Sequence, residues 1–111
     1  MSASSFLSVM VDDEVLVKAA ESDVVKVEGN WYFNDKDLQN RGQYEESNTH
    51  TTCGWKGVAS YYNYRKKDGT LLKDVAWYYP QLKKGAEQVA DRVAFYVGKQ
   101  GLKLGSPPVD A

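Results

Sequence analysis

Two strand-like segments rich in aromatic residues flank an Asp-Gly pair near the middle of the chain. The segments VASYYNY and LLKDVAWYY both alternate in the way that places successive side chains on opposite faces of a sheet. The Asp-Gly pair between them, in RKKDGT, is the strongest short-range signal for a β-hairpin. With Asp68 and Gly69 at the centre of the turn, one face of the hairpin carries four aromatic side chains, Tyr62, Tyr64, Trp77 and Tyr79.

The preceding part of the chain repeats this pattern of short apolar segments separated by turns. SFLSVMV and VLVKAA predict a first hairpin around the acidic turn DDE. Val24–Val27 and Trp31–Phe33 predict a second pair of strands around EGN, followed by a short helical turn that Asn34 can cap. The polar segment QNRGQYEESNT predicts a surface loop. Later in the chain, Pro80 is expected to end the strand LLKDVAWYY.

After Pro80 the pattern fits both helix and strand, and we interpret Lys83–Gln88 as a short helix and Val93–Val97 as a last strand. About seven short strands in total, with frequent turn signals, predict a mainly β fold of short antiparallel strands with one or two short helical turns. A chain of 111 residues buries a single core. We therefore expect one compact β domain over residues 6–97, a flexible leader at 1–5 and a poorly ordered tail at 98–111.

Charge and cysteine content limit the classes of partner and the compartment. Lys plus Arg number 14 and Asp plus Glu number 15, so no strong positive field draws the chain to nucleic acid or to an anionic membrane. The start, MSASSFLSVMV, has neither a basic region nor a long apolar run, so we expect no secretion signal and no membrane span. A single cysteine excludes an internal disulfide and favours a cytosolic or nuclear protein.

The sequence also gives little sign of a metal or cofactor site. Cys53 and His50 supply too few soft ligands for structural zinc. The acidic run at Asp12, Asp13 and Glu14 lies in a turn, where side chains splay into solvent instead of converging on a cation. No glycine-rich phosphate loop is present. We therefore expect no metal and no cofactor.

Four segments resemble successive blocks of a known family. VEGNWYFNDKDL, SNTHTTCGWKGVASYYNY, DVAWYYPQL and DRVAFYV occur in that order over roughly residues 9–97 and are similar to the family called domain of unknown function 427, also labelled nucleotidyltransferase-like. The resemblance implies a β-tent fold like that of Mss4-like proteins, with a cleft near the CGWK loop. It implies no established activity.

The segment THTTCGWKGVASYYNY brings the only cysteine and histidine together with aromatic residues and a lysine. A cleft lined by aromatic rings, with one lysine to hold an anion, is a common composition for a small-ligand site. Gly57 would let a ligand approach the backbone. The candidate ligand-binding residues are Cys53, Trp55, Lys56, Gly57, Tyr62, Trp77 and Tyr79.

Two of these residues have alternative interpretations. Lys56 is either an anion anchor or a lysine that extends its amine from a strand end to water. Cys53 is either a buried structural thiol or a nucleophile, and an extended HTTC segment would place His50 and Cys53 on opposite faces. Three hypotheses follow. The first is a non-catalytic binding module for a small planar or anionic ligand, the second is an enzyme that uses Cys53 as nucleophile or redox thiol, and the third is an interaction protein or homodimer.

Overall fold

The computed structural model describes residues 5–105 and contains two antiparallel sheets in that range. Helical structure there is limited to four short 3₁₀ turns, at Glu21–Asp23, Asp35–Asp37, Arg41–Gln43 and Glu87–Val89. The strands are β1 Phe6–Val11, β2 Glu14–Ala20, β3 Val25–Val27, β4 Asn30–Asn34, β5 Tyr44–Cys53, β6 Gly57–Arg65, β7 Leu71–Leu82, β8 Arg92–Phe95 and β9 Leu102–Gly105. The prediction of a mainly β domain of antiparallel strands is confirmed.

The two sheets differ in size. The smaller has the order β2-β1-β9 and the larger the order β3-β4-β8-β7-β6-β5. The first core lies between the sheets and includes Val9, Val17, Phe33 and Leu102. The expectation of a single core is wrong, because a second core lies on the opposite face of the large sheet, where the chain after β7 covers it. Its buried members are Val27, Tyr32, Ala59, Tyr61, Trp77, Tyr79, Ala86, Val89 and Ala94.

The first two hairpins form where the sequence predicts them. β1 pairs with β2 and β3 pairs with β4, both antiparallel. The β3–β4 turn has Glu28 at φ 53° and Gly29 at φ 81°, and positive φ at both central residues is the geometry of the two-residue hairpin turn that matches strand twist. Asn or Gly normally occupies the first of these positions, so Glu28 is an unusual residue there.

The β6–β7 hairpin has a longer turn than the sequence predicts. Arg65 pairs with Leu71, and the Gly69 amide donates to the Lys66 carbonyl at 2.9 Å. Gly69, at φ 92°, follows this turn as the extra residue of a three-residue loop. The longer turn and a second irregularity between Tyr62 and Tyr64 change the register, so that Tyr61 rather than Ser60 lies opposite Trp77. Because side chains alternate between faces, this shift decides which tyrosines share a face with Trp77.

Three other expectations are wrong. The expected surface loop at residues 39–49 instead contributes to β5 from Tyr44 onward, and β7 runs through Pro80 to Leu82. Pairing between β7 and β8 ends at Tyr78 and Val93, so the missing amide of Pro80 costs no bond to β8. In the expected tail, β9 pairs with β1, and the rest of that prediction, at residues 106–111, lies outside the described residues.

The remaining boundaries are close to those expected. The short helix predicted at Lys83–Gln88 is only a 3₁₀ turn at Glu87–Val89, and the strand predicted at Val93–Val97 is β8, Arg92–Phe95. Of the expected leader, residues 1–4 lie outside the described residues. The Ser5 carbonyl accepts a hydrogen bond of 2.9 Å from the Glu21 amide.

Candidate functional site

The structure divides the predicted site residues between two places. Cys53 ends β5, Trp55 and Lys56 lie in the β5–β6 turn, and Gly57 begins β6. Tyr79 reaches this group from the second core, with its ring 6.0 Å from the Lys56 Nζ. The remaining two predicted residues, Tyr62 and Trp77, do not share this environment.

The prediction that Tyr62 shares a face with Trp77 and Tyr79 is wrong. Tyr62 pairs with Ala76 and stacks on Tyr78, with ring centroids 4.6 Å apart, on the face that meets the small sheet. Trp77 packs in the second core with 6 % of its surface exposed, and its Nε1 donates to the Tyr32 hydroxyl at 3.3 Å. Trp77 is therefore a core residue.

Gly57 shapes the turn that carries Lys56. Its φ is 124°, and a Cβ at this position would lie 2.5 Å from the Gln81 carbonyl oxygen. The space left by the missing side chain is thus filled by the backbone of β7. The Lys83 amide donates to the Lys56 carbonyl at 3.0 Å, and Lys83 Nζ donates to the Gly54 carbonyl at 2.8 Å. These contacts hold the turn against β7, so Gly57 serves backbone packing rather than ligand approach.

Lys56 is a buried cation with an acidic partner. Only 4 % of its surface is exposed, and its Nζ lies 4.6 Å above the Trp55 ring and forms an ion pair with Glu28. Burial lowers the pKa of Lys56, but the hydrogen bond to the Glu28 carboxylate and the Coulombic effects of Tyr32, Cys53 and Glu28 together raise it overall. The ammonium is therefore fully charged at neutral pH.

Glu28 is a residue of this group that the sequence did not single out. It accepts hydrogen bonds from Lys56 Nζ and, at 3.3 Å, from Trp55 Nε1, so both carboxylate oxygens are engaged. The Lys56 hydrogen bond lowers the pKa of Glu28. A glutamate at a turn position that favours Asn or Gly was the only local signal in the sequence.

Cys53 lies beside the same ammonium. Its Sγ is 4.0 Å from Lys56 Nζ. Burial raises the pKa of the thiol. Hydrogen bonds from the backbone amides of Lys56 and Trp55 act in the opposite direction, and the net shift of this pKa is downward. His50 contacts Ser60 instead, with Nδ1 3.3 Å from the Ser60 Oγ. The Cys53 thiol is thus polarised by Lys56 and not by a histidine.

A cleft of about 470 Å³ opens where β7 and β8 separate beyond their last pair, Tyr78 and Val93. Stacked half-buried rings of Tyr62 and Tyr78 contribute to its wall, and the Tyr44 ring meets Tyr62 edge-on at 5.6 Å. The Tyr78 hydroxyl donates to Glu46 at 2.8 Å. The lining residues are Asn34, Asp35, Lys36, Tyr62, Tyr78, Tyr79, Pro80, Asp91, Arg92 and Val93. We call this the β7–β8 cleft.

Charged residues of both signs line the β7–β8 cleft. The Arg92 guanidinium is held by Nη1, which donates to the carbonyls of Asp23 at 2.8 Å and Tyr32 at 3.3 Å. Asp35 is paired with Arg41 at 3.3 Å, and Lys36 and Asp91 add one charge of each sign. Sequence reasoning missed this set because its members come from the ends of β4, β7 and β8, which meet only in the folded sheet.

Neither a metal-ligand cluster nor a membrane-spanning helix is present in the part of the chain that the structure describes. Within residues 5–105, no three or more His, Cys, Asp or Glu side chains come close enough to hold a metal ion. In the same range, none of the helices is long and apolar enough to cross a membrane.

Fold and surface features together define a small mainly β domain with an aromatic cleft and a separate buried lysine. A family model described as "Domain of unknown function (DUF427)" matches residues 2–103. The chain belongs to this family, as the blocks around the CGWK loop indicate. A search of curated proteins found no match to the chain. The family description assigns no activity, so the case for function depends on the geometry above.

Proposed function

We propose that this protein is a non-catalytic binding module that holds a small planar ligand with a single anionic group in the β7–β8 cleft. The observation that carries the proposal is the cleft itself, whose volume of about 470 Å³ is in the range of small-molecule sites. Its lining combines aromatic rings with a fixed guanidinium, whereas the sequence led us to expect a lysine in this role. A cytosolic or nuclear location is part of the proposal, because the lone cysteine suits a reducing compartment.

The aromatic part of the cleft favours a planar ligand. Tyr62 and Tyr78 stack with an angle of 21° between their rings, and neighbours fix both of them. Rings that are held in place lose little conformational freedom on binding. A planar group can stack on or meet the edge of such a pair, and contacts of this kind are worth about 0.5–1.5 kcal/mol beyond buried area.

The charged part of the cleft favours one negative group and disfavours several. A guanidinium has five N–H donors, and among residues 5–105 only Nη1 of Arg92 has protein partners. The remaining donors can bind a carboxylate or phosphate oxygen pair. Asp91 and Asp35 balance the charges of Lys36 and Arg92, so a triphosphate would meet repulsion as well as attraction.

The proposal assigns the anion-binding role to Arg92 instead of Lys56. Lys56 is absent from the lining of the β7–β8 cleft and is already paired with Glu28. Tyr62 and Tyr79 line this cleft, which differs from the predicted one near Lys56, while Trp77 supports the sheet from the second core.

Isothermal titration calorimetry with benzoate, phenyl phosphate, cyclohexanecarboxylate and ATP tests this proposal. We expect benzoate or phenyl phosphate to bind better than the non-planar acid and better than ATP, and to be recovered unchanged. Arg92→Gln should weaken binding by about 10- to 150-fold, the equivalent of a charge-assisted hydrogen bond of 1.5–3 kcal/mol.

Matched variants separate binding from folding. Lys84→Gln removes an exposed charge that does not line the cleft and should leave binding unchanged. Tyr62→Leu removes the stacking ring while leaving Arg92 in place and should abolish the preference for planar acids. Equal affinity for the planar and non-planar acids, or no binding by any probe to the wild-type protein, would overturn the proposal.

A further inference from the structure

A second ligand-binding arrangement lies in the β5–β6 turn, apart from the β7–β8 cleft. We propose that Lys56 and Trp55 form a carboxylate-binding site, which the carboxylate of Glu28 occupies as an internal stand-in for a small carboxylate ligand. This inference is independent of the β7–β8 cleft, since none of these three residues lines that cleft.

The donors already bind a carboxylate through both oxygens. Lys56 Nζ donates to Oε1 of Glu28 and Trp55 Nε1 donates to Oε2 at 3.3 Å. An ammonium and an indole N–H directed at one planar, two-oxygen group form a small recognition unit for carboxylates in general. The occupant seen in the structure therefore identifies the chemical class of the ligand.

The cation in this site requires an anionic partner. Lys56 is 96 % covered, since only 4 % of its surface is exposed, and the rings of Trp55 and Tyr79 lie 4.6 and 6.0 Å from its Nζ. A buried charge without a counter-charge is strongly unfavourable. If Glu28 moves away, the site becomes a desolvated ammonium that attracts an external carboxylate.

The donors and the acceptor belong to parts of the fold with different constraints. The β5–β6 turn is fixed to β7 by the two Lys83 hydrogen bonds and by the close approach at Gly57. Glu28 lies on the separate β3–β4 turn, with a side chain that is 54 % exposed. Its backbone has a φ of 53°, which is costly for a residue other than Gly, Asn or Asp.

The opening of the site also faces solvent. Trp55 is 39 % exposed, one of the few large apolar side chains among residues 5–105 to be so accessible. A carboxylate that arrives from solvent can therefore reach the indole N–H and the ammonium once Glu28 swings outward. Glu28 competes for the site as a tethered carboxylate, so it lowers the apparent affinity for external carboxylates in proportion to its effective concentration.

The test uses acetate as the probe and the Trp55 indole N–H as the reporter. Glu28→Asn removes the carboxylate and places at this turn position the residue that the turn geometry prefers, which offsets part of the destabilisation caused by the unpaired Lys56 ammonium. NMR spectra of nitrogen-15-labelled protein would follow the Trp55 indole signal during titration with sodium acetate, against sodium chloride at equal ionic strength. We expect saturable acetate binding in Glu28→Asn that is about tenfold or more tighter than in wild type.

Three controls give the result its meaning. Glu28→Asn combined with Lys56→Met should not respond to acetate. Glu21→Gln, which removes another exposed carboxylate, should behave like wild type. Glu28→Gly, also suited to positive φ, repeats the test on a second background. An indole signal in folded Glu28→Asn and Glu28→Gly that responds to acetate no more than to chloride, or equal acetate affinity with and without Glu28, would overturn the proposal.

Discussion

Replacing Gly57 with alanine tests how the turn that carries Lys56 is held. The new Cβ would lie 2.5 Å from the Gln81 carbonyl oxygen, far inside normal contact, and the residue would have to keep a φ of 124°. Both the strain of an unfavourable φ and the displacement of β7 oppose folding. Backbone strain of this kind costs about 1–3 kcal/mol, and with the steric conflict we expect a loss of about 2–4 kcal/mol in the free energy of unfolding.

Urea unfolding, followed by tryptophan fluorescence, measures this loss. With a slope of about 2 kcal/mol per molar urea, typical of a small domain, the midpoint should fall by about 1–2 M. Gly54→Ala is the matched control, because Gly54 lies in the same turn, has no positive φ, and has no atom within 4 Å of an added Cβ. A Gly57→Ala midpoint within error of the Gly54→Ala midpoint would refute the explanation.

Three further predictions concern Cys53, Glu14 and Tyr64. Because the pKa of Cys53 is lowered, we expect alkylation by iodoacetamide to proceed below the ordinary thiol pKa of 9.0. Lys56→Met should shift the pH profile of the alkylation rate to higher pH, and a profile unchanged by Lys56→Met would contradict this prediction. Burial raises the pKa of Glu14, but hydrogen bonds from the Lys67 amide, Gln43 and Tyr64 lower it overall. The ionised Glu14 carboxylate therefore stabilises the fold above pH 4.5, and this stabilisation is lost as pH falls through the lowered folded-state pKa. Acid titration of unfolding should show this loss in wild type and a weaker one in Glu14→Gln, and identical profiles would count against it. Tyr64→Phe removes a 3.1 Å hydrogen bond to Glu14 and should lower the free energy of unfolding in urea at neutral pH by about 1 kcal/mol. An unchanged urea midpoint would show that the bond contributes nothing.

The elements that the sequence predicts well are those with one buried face. β1, β2, β4, β6 and β7 alternate or cluster apolar residues, and turns with Gly or acidic residues separate them. β5 is an edge strand whose residues are mostly exposed on both faces, so its composition resembles a loop. β9 is similar, because only Leu102 in it is buried. Strands of this kind form through pairing with a neighbour, which no local pattern records.

The site was less predictable than the fold because it depends on register and on distant contacts. The longer turn at Asp68 and Gly69, together with the irregularity between Tyr62 and Tyr64, places Tyr62 on the face opposite Trp77. Glu28 reaches Lys56 across 28 positions of the chain. The β7–β8 cleft forms because two strands separate, and no local sequence pattern predicts where paired strands separate. Cys53, Trp55 and Lys56 did come together as the sequence suggested, since a tight turn joins them.

Mapping the binding site of benzoate by NMR tests the central proposal most directly. Amide signals of nitrogen-15-labelled wild-type protein would be followed during titration, with cyclohexanecarboxylate as the non-planar control. The proposal predicts saturable shifts that centre on Tyr62, Tyr78 and Arg92 and that saturate at higher concentrations of the control acid than of benzoate. Shifts centred on the Trp55 turn alone, or no saturable shifts at all, would contradict the assignment of the β7–β8 cleft as the ligand site.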